Sequence, residues 1–284
     1  MSEGRRPQFG DIDAWGLTHR GKVRETNQDH FLVGALTSGV QIEVTSLDFQ
    51  KDAVTFLERT ASLGVVADGV GSSAGGEHAA RVAVQALVHE VSRSFYQVEM
   101  AETNDPDAFS RLLQDAALAC HESLVERAER EGGGSFATAL TLFLGLWPHA
   151  YLLQVGDTRC YIHHDDQLTQ ITRVQTWAQD LIDQGTLSQT RAQASRWANV
   201  LSSAIGGQES TPVVTRIERH WGDVILLCSD GLTKHVSDEE IEGHIAQMRS
   251  SRQLAEDLLD DALEGGGTDN VSIIVGRTLP PVGV

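Results

Sequence analysis

Gly64-Val65-Val66-Ala67-Asp68-Gly69 is an apolar run that stops on a carboxylate, and the same wording recurs twice further along the chain. Leu226-Leu227-Cys228-Ser229-Asp230-Gly231 repeats it, and Gly267-Thr268-Asp269-Asn270 sets an aspartate just ahead of the apolar run that opens at Val271. Short apolar runs bounded by glycine, asparagine and aspartate read as strands that end in turns. In the first two segments the carboxylate falls at the rim of a sheet, where a β-turn exposes it; in the third it precedes the strand. A single Asp-Gly pair needs no more than a turn to explain it. Three such aspartates raise a second reading. If the strands lie side by side, the carboxylates converge and repel one another unless a cation neutralises them. Oxygen-only ligands select a hard ion such as Mg²⁺ or Mn²⁺ over zinc. Spacing alone leaves both readings open.

Upstream of this run, residues 12–33 read as two strands around a polar loop that holds Arg24, Asn27 and Asp29. Residues 35–60 form an irregular insertion with one alternating patch, Val40-Ile42-Val44. Downstream, residues 71–76 read as a glycine- and serine-rich turn, followed by a helix over 77–94 whose wide apolar surface suits cover on two sides. A second helix over 107–129 aligns Phe109, Leu112, Leu113, Ala116, Ala117, Cys120 and Leu124, and stops at three glycines. Residues 137–146 and 150–155 read as a hairpin turning at Trp147-Pro148-His149, with further strands over 159–163 and 167–171. A polar helical segment over 176–196 precedes strands at 213–217 and 224–228. Ser237 with Glu240 is a capping box for a helix carrying Ile241, Ile245 and Met248. A last helix carries Leu254, Leu258, Leu259, Ala262 and Leu263, and a strand over 271–275 closes the pattern.

This order lacks the regular strand–helix alternation of a parallel doubly wound sheet. It predicts an α+β fold of antiparallel sheets with helices outside them. One domain over 11–278 is expected, between a flexible arm at 1–10 and a tail at 279–284. The chain has 284 residues, 40% of them hydrophobic and 22% charged, which is enough to bury a large core without disulfide staples. A net charge of −18 excludes a nucleic-acid binder and disfavours contact with anionic membranes. Cys120, Cys160 and Cys228 stand singly, so neither a zinc clip nor a disulfide framework is indicated. The polar start carries no signal-like apolar core, and no run approaches the ~18 apolar residues of a membrane span. The expectation is a cytoplasmic monomer with buried thiols.

Five motifs taken in order are more specific than any one of them. Arg24-Glu25-Thr26-Asn27-Gln28-Asp29, Asp68-Gly69-Val70-Gly71, Val155-Gly156-Asp157-Thr158-Arg159, Ser229-Asp230-Gly231-Leu232 and Thr268-Asp269-Asn270 together resemble the metal-dependent type 2C serine/threonine protein phosphatases, in a bacterial style. Gly76-Glu77-His78-Ala79-Ala80, Asn199-Val200-Leu201, Gly206-Gly207 and Gly222-Asp223 support the likeness, which covers nearly the whole chain. The resemblance implies a central β-sandwich of two antiparallel sheets flanked by helices, a four-layer αββα arrangement. It implies that Asp68 bridges two metal ions, with the Gly69 carbonyl on the second. Asp230 and Asp269 would hold the first ion, and Asp29 would sit beside the second. Asp157 with Asp230 would serve a third, weaker ion, and Arg24 would grip the substrate phosphate. The implied reaction is hydrolysis of phosphoserine and phosphothreonine by a metal-bridging hydroxide, with Mn²⁺ or Mg²⁺ as cofactor. Phosphorylated proteins and a cognate serine/threonine kinase are the implied partners.

The chain also departs from the family pattern. Val70 stands where many animal members carry a histidine thought to protonate the leaving group, so water or another group must do so. His19 and His78 lie nearby in sequence, although a lone histidine is more often a surface or capping residue. Gln28 replaces an acidic ligand, Ser72-Ser73 replaces a glycine, and Val174-Gln175 stand where an acid and a histidine are common. Residues 174–205 correspond to a flap that varies among members. Two other functions compete: a catalytically weak, phosphatase-like binding or sensor module, and a hydrolase of small phosphate esters.

Overall fold

The computed structural model describes residues 6–37, 40–46, 61–71, 73–100, 105, 107–130 and 136–280. The elements run β1 (Ile12–His19), β2 (His30–Leu36), β3 (Val40–Thr45), β4 (Ala61–Val70), α1 (Ser73–Met100), α2 (Ala108–Arg130), β5 (Ala137–Leu146), β6 (His149–Val155), β7 (Arg159–His164) and β8 (Gln167–Gln170). Then follow α3 (Trp177–Asp183), α4 (Gln189–Gln193), β9 (Val213–Glu218), β10 (Val224–Cys228), α5 (Asp230–Thr233), α6 (Asp238–Ala246), α7 (Ser251–Glu264) and β11 (Val271–Thr278). One sheet has the order β1-β11-β10-β7-β8 and the other β3-β2-β4-β5-β6-β9, with every pairing antiparallel.

Strand periodicity divides the side chains between three cores. In β10, Val224, Leu226 and Cys228 face α5–α7, whereas Ile225 and Leu227 face the other sheet. In β4, Leu63, Val65 and Ala67 face α1 and α2, and Val66 faces the other sheet. Strands covered on both faces lose the polar alternation of a half-exposed strand, which is why they read as continuous apolar runs. The result is a four-layer α+β sandwich: α1 and α2, the six-stranded sheet, the five-stranded sheet, then α6 and α7.

Three readings of the sequence need correction. β4 does not stop at Asp68: the ten-residue β5 pairs Asp68 with Ala139, Gly69 with Thr138 and Val70 with Ala137, so backbone partners carry the strand past the carboxylate. The supposed turn at 71–76 is largely the first turn of α1. Its glycine serves close approach: a Cβ on Gly76 would lie 2.4 Å from Gln28 Nε2 and 2.9 Å from the Gly69 carbonyl carbon. The polar helix over 176–196 is two short helices separated at Gly185, whose φ of 69° helical L-residues avoid.

Within the insertion at 35–60, the alternating patch becomes edge strand β3, paired to β2; residues 47–60 lie outside the described set. Residues 1–5 of the expected arm and 281–284 of the tail also lie outside it. The three cysteines are buried and free. Among the described residues no helix is long and apolar enough to cross a membrane.

Candidate active site

Strand parity accounts for where the aspartates point. Asp68 shares the parity of Val66 on β4, and Asp29 shares that of Phe31 and Val33 just ahead of β2, so both face the space between the sheets. Ser229 follows the same rule after Leu227, and Ser272 and Asn270 follow it with Ile274. Asp230 is the first residue of α5, a single helical turn that leaves the end of β10, and not the turn residue the sequence suggested. Asp269 lies one residue before the buried Asn270, and Asp157 lies after Gly156, whose φ of 99° turns the chain between β6 and β7.

A network of neutral groups fixes these positions. Ser229 Oγ donates to Asp29 Oδ2 at 2.7 Å and accepts from the Ser272 N–H at 2.9 Å. Asn270 accepts from the Gln28 N–H and donates to the Arg20 and Thr26 carbonyls, each at 2.9 Å, tying the loop after β1 to the end of β11. Thr138 Oγ donates to the Asp68 carbonyl at 2.8 Å. Gln175 accepts from the Gly156 N–H at 2.7 Å and donates to the Thr211 carbonyl at 2.9 Å, joining the Asp157 turn to the base of the flap.

Two cations border the cluster. Arg24 forks onto Asp269, Nε to Oδ1 and Nη2 to Oδ2, both at 2.7 Å. Lys234 spans Asp230 at 2.6 Å and Asp269 at 2.7 Å. Burial pulls the Lys234 ammonium down, but Asp230 and Asp269 outweigh it and hold the pKa above its ordinary value. Partial burial opposes ionisation of Asp269, yet hydrogen bonds from Arg24 and Lys234 keep its carboxyl below the usual range.

The remaining carboxylates are under-neutralised. Burial, reinforced by the charges of Asp29, Asp230, Asp157 and Asp269, pushes Asp68 well above the ordinary carboxylate range. Burial likewise pushes Asp29 up to about 7, against the Ser229 hydrogen bond, and Asp157 to about 7, with Asp230 adding to it. Asp29 Oδ1 and Asp230 Oδ1 are buried oxygens without a hydrogen-bond partner. Orphaned buried acceptors are rare and mark strain, an active site or a place for an ion. Five carboxylates with two orphaned oxygens therefore fit hard divalent cations.

Of the sequence-predicted residues, Asp29, Asp68, Asp157, Asp230 and Asp269 come together, and Gly69 lies beside them. A Cβ on Gly69 would lie 2.3 Å from the Gly76 carbonyl and 2.9 Å from the Gln28 carbonyl. Arg24 is half exposed and rests on Asp269. Val70 closes β4 opposite Ala137. His19 caps its own turn, accepting from the Gly21 N–H at 3.0 Å, and His78 stands 2.8 Å from Arg81 with its ring edge-on to Phe136. Of the segment at 132–140, residues 132–135 lie outside the described set.

Lys234, Ser229, Asn270 and Gln175 were not expected. Ser229, Asn270 and Gln175 lie in stretches already singled out, though with no role assigned. Lys234 left a separate signal four residues after Asp230, which counts only if a helical turn starts at that aspartate. That turn packs against the chain ahead of β11. A Cβ on Gly231 would lie 1.9 Å from the Asn270 carbonyl oxygen. Gly231→Ala is therefore expected to destabilise the protein by ~3 kcal/mol, read as a lowered urea midpoint, because the blocking atom is backbone.

The family model described as protein phosphatase 2C matches residues 47–265. The serine/threonine protein phosphatase PstP of Mycobacterium tuberculosis is 34% identical over 220 residues, which is 76% of this chain and 40% of that protein. The chain thus spans well under half the length of this curated relative. A crystal structure of M. tuberculosis PstP/Ppp superposes with a TM-score of 0.74 at 29% identity, covering 95% of this chain and 99% of that one. The catalytic domain of PstP in complex with two manganese ions superposes with a TM-score of 0.69 at 28% identity, covering 95% and 99%.

Proposed function

This chain belongs to the protein phosphatase 2C family, and on that footing we propose that it hydrolyses phosphoserine and phosphothreonine in proteins, reversing the work of a serine/threonine kinase. The observation that carries the reading is the convergence of Asp29, Asp68, Asp157, Asp230 and Asp269 on one inter-sheet space with two orphaned carboxylate oxygens. The donors are all oxygen, so Mg²⁺ or Mn²⁺ is the expected ion. Asp68, Asp230, Asp269 and the Gly69 carbonyl would hold two ions, Asp29 would lie beside the second, and Asp157 with Asp230 would hold a third more weakly. When bound, such ions supply an activated water at neutral pH and offset phosphoryl charge.

The chain's own groups do the rest. Ser229 holds Asp29 in one rotamer, and Thr138 holds the backbone at Asp68. Lys234 and Arg24 keep Asp269 ionised. Arg24 is half exposed at the rim, and its planar fork suits the oxygens of an incoming phosphate as well as a carboxylate. Val70 offers no proton, so the leaving serine or threonine oxygen takes its proton from water or from another group at the site. The flap, anchored through Gln175, borders the site and suits a gate for protein substrates.

Hydrolysis of a phosphothreonine peptide and of p-nitrophenyl phosphate should be measured with Mn²⁺, with Mg²⁺ and with chelator. Turnover of both with either metal, and none in chelator, is expected. Undiminished turnover in chelator would sink the metal-dependent mechanism. Silence with both metals would favour the binding module, and hydrolysis of the small ester alone would favour the small-ester hydrolase.

A further inference from the structure

At the end of the five-stranded sheet away from the aspartates, three side chains meet that the proposed chemistry does not use. His164 ends β7, His220 lies between β9 and β10, and Asp223 immediately precedes β10. One ligating atom from each lies within 4.8 Å of the others. β10 leads from Asp223 towards Asp230, so about seven residues of extended chain at ~3.3 Å each separate the two clusters by ~20 Å.

The three groups form a built arrangement. His164 Nδ1 lies 2.7 Å from Asp223 Oδ1, and the two imidazoles stack with centroids 4.4 Å apart. Asp223 Oδ2 accepts from the His220 N–H at 2.7 Å and from Arg219 Nε at 3.4 Å. The carboxylate is 1% exposed, while the imidazoles of His164 and His220 are 42% and 50% exposed. The anchor is thus buried and the histidines open to solvent.

On the outer side of His164, Nε2 lies 3.3 Å from Asp165 Oδ2. Asp165 and Asp166 both have positive φ, 47° and 59°, in the tight β7–β8 turn, and the Asp165 side chain is 90% exposed. With Nε2–H held by a carboxylate, the outer partner that histidine ligands regularly use, His164 can release the proton that Nδ1 shares with Asp223 Oδ1 and present a lone pair there. Once that proton has left, two carboxylates against the Arg219 guanidinium leave the neighbourhood net negative.

We propose that His164, His220 and Asp223 form a second metal site, separate from the aspartate cluster, for a borderline transition ion of the Zn²⁺ type. Two imidazoles and one carboxylate suit Zn²⁺, whereas the all-oxygen cluster suits Mg²⁺ or Mn²⁺. The ion displaces the proton shared by His164 Nδ1 and Asp223 Oδ1, releases it to solvent, and completes its shell with water. It clips the β7–β8 turn to the β9–β10 connection. The site does not depend on the phosphatase reading, because none of its residues belongs to the proposed catalytic cluster.

The test is titration calorimetry of Zn²⁺ into Mg²⁺-saturated protein, comparing wild type with a double variant, His164→Gln with His220→Gln. Both side chains are half exposed, and a melting curve checks that the variant folds. Wild type is expected to bind one more equivalent of Zn²⁺ than the double variant. Asp165→Asn should keep the stoichiometry but bind about tenfold more weakly. Equal stoichiometry and affinity in wild type and the double variant would overturn the proposal.

Discussion

Asp230→Ala is expected to lower turnover of a phosphothreonine peptide by roughly 10³-fold or more at saturating Mn²⁺, which is at least ~4 kcal/mol of transition-state stabilisation. Three features set the size of the effect. The carboxylate leads α5 directly off the end of β10, so its place is set by the backbone of both elements. One of its oxygens is bound by Lys234 and the other is buried without a hydrogen-bond partner, as is one oxygen of Asp29. Its charge also acts on Asp68, Asp29 and Asp157 together. Its loss should leave the fold nearly intact, since β10 is held by β7, β11 and the apolar positions on both its faces. The informative comparison is turnover and calorimetric Mn²⁺ affinity beside a urea melt of the metal-free protein. A variant with near-normal turnover would remove Asp230 from the chemistry. A variant that loses turnover only because it unfolds would show it in the melt.

What the sequence made legible follows from which forces are local. The two-residue period of a strand is local, so β10 and β4 could be read, and the parity that aims Asp68 between the sheets was already implicit in Val66. The capping box at Ser237 and Glu240 was likewise readable, and both of its hydrogen bonds form. Residues whose meaning depends on a distant partner were not. Ser229 reaches Asp29 across 200 positions and Asn270 reaches Gln28 across 242, and no periodicity encodes either pair. Glycine misled at two of the places where it suggested a turn. Gly76 lies inside α1 because α1 presses against the backbone of Gly69, and Gly231 lies inside α5 because α5 presses against Asn270. In each case the space a missing Cβ leaves outweighed the modest helix penalty of glycine, ~1 kcal/mol. Lys234 was hidden for the same reason, since reading Asp230-Gly231 as a turn removes the helical spacing that brings Lys234 back to Asp230.

The metal-free protein is expected to lose stability as pH rises from about 4 to about 7, the opposite of what a paired surface carboxylate gives. Asp29 and Asp157 lie at about 7 in the folded chain against an ordinary value of 3.8, and Asp68 is also raised. A group whose folded pKa exceeds its unfolded value binds its proton more tightly in the native state. Its contribution is therefore complete below the unfolded pKa and is lost as pH climbs through the folded one. One pKa unit corresponds to ~1.4 kcal/mol, so the coupled cluster should cost on the order of several kcal/mol across this window. Asp269 works the other way, since its lowered pKa gives stability that disappears only as pH falls below the ordinary carboxylate range, outside the window. Urea midpoints in chelator at pH 5 and pH 7.5 should therefore fall with pH for wild type and much less for Asp29→Asn combined with Asp157→Asn. Saturating Mn²⁺ should abolish the wild-type fall, because a divalent ion neutralises the carboxylates that protons neutralise at low pH. A wild-type midpoint in chelator that holds or rises from pH 5 to pH 7.5, in step with the double variant, would mean that these carboxylates are not held together under strain. It would also remove the physical reason for expecting a cation among them.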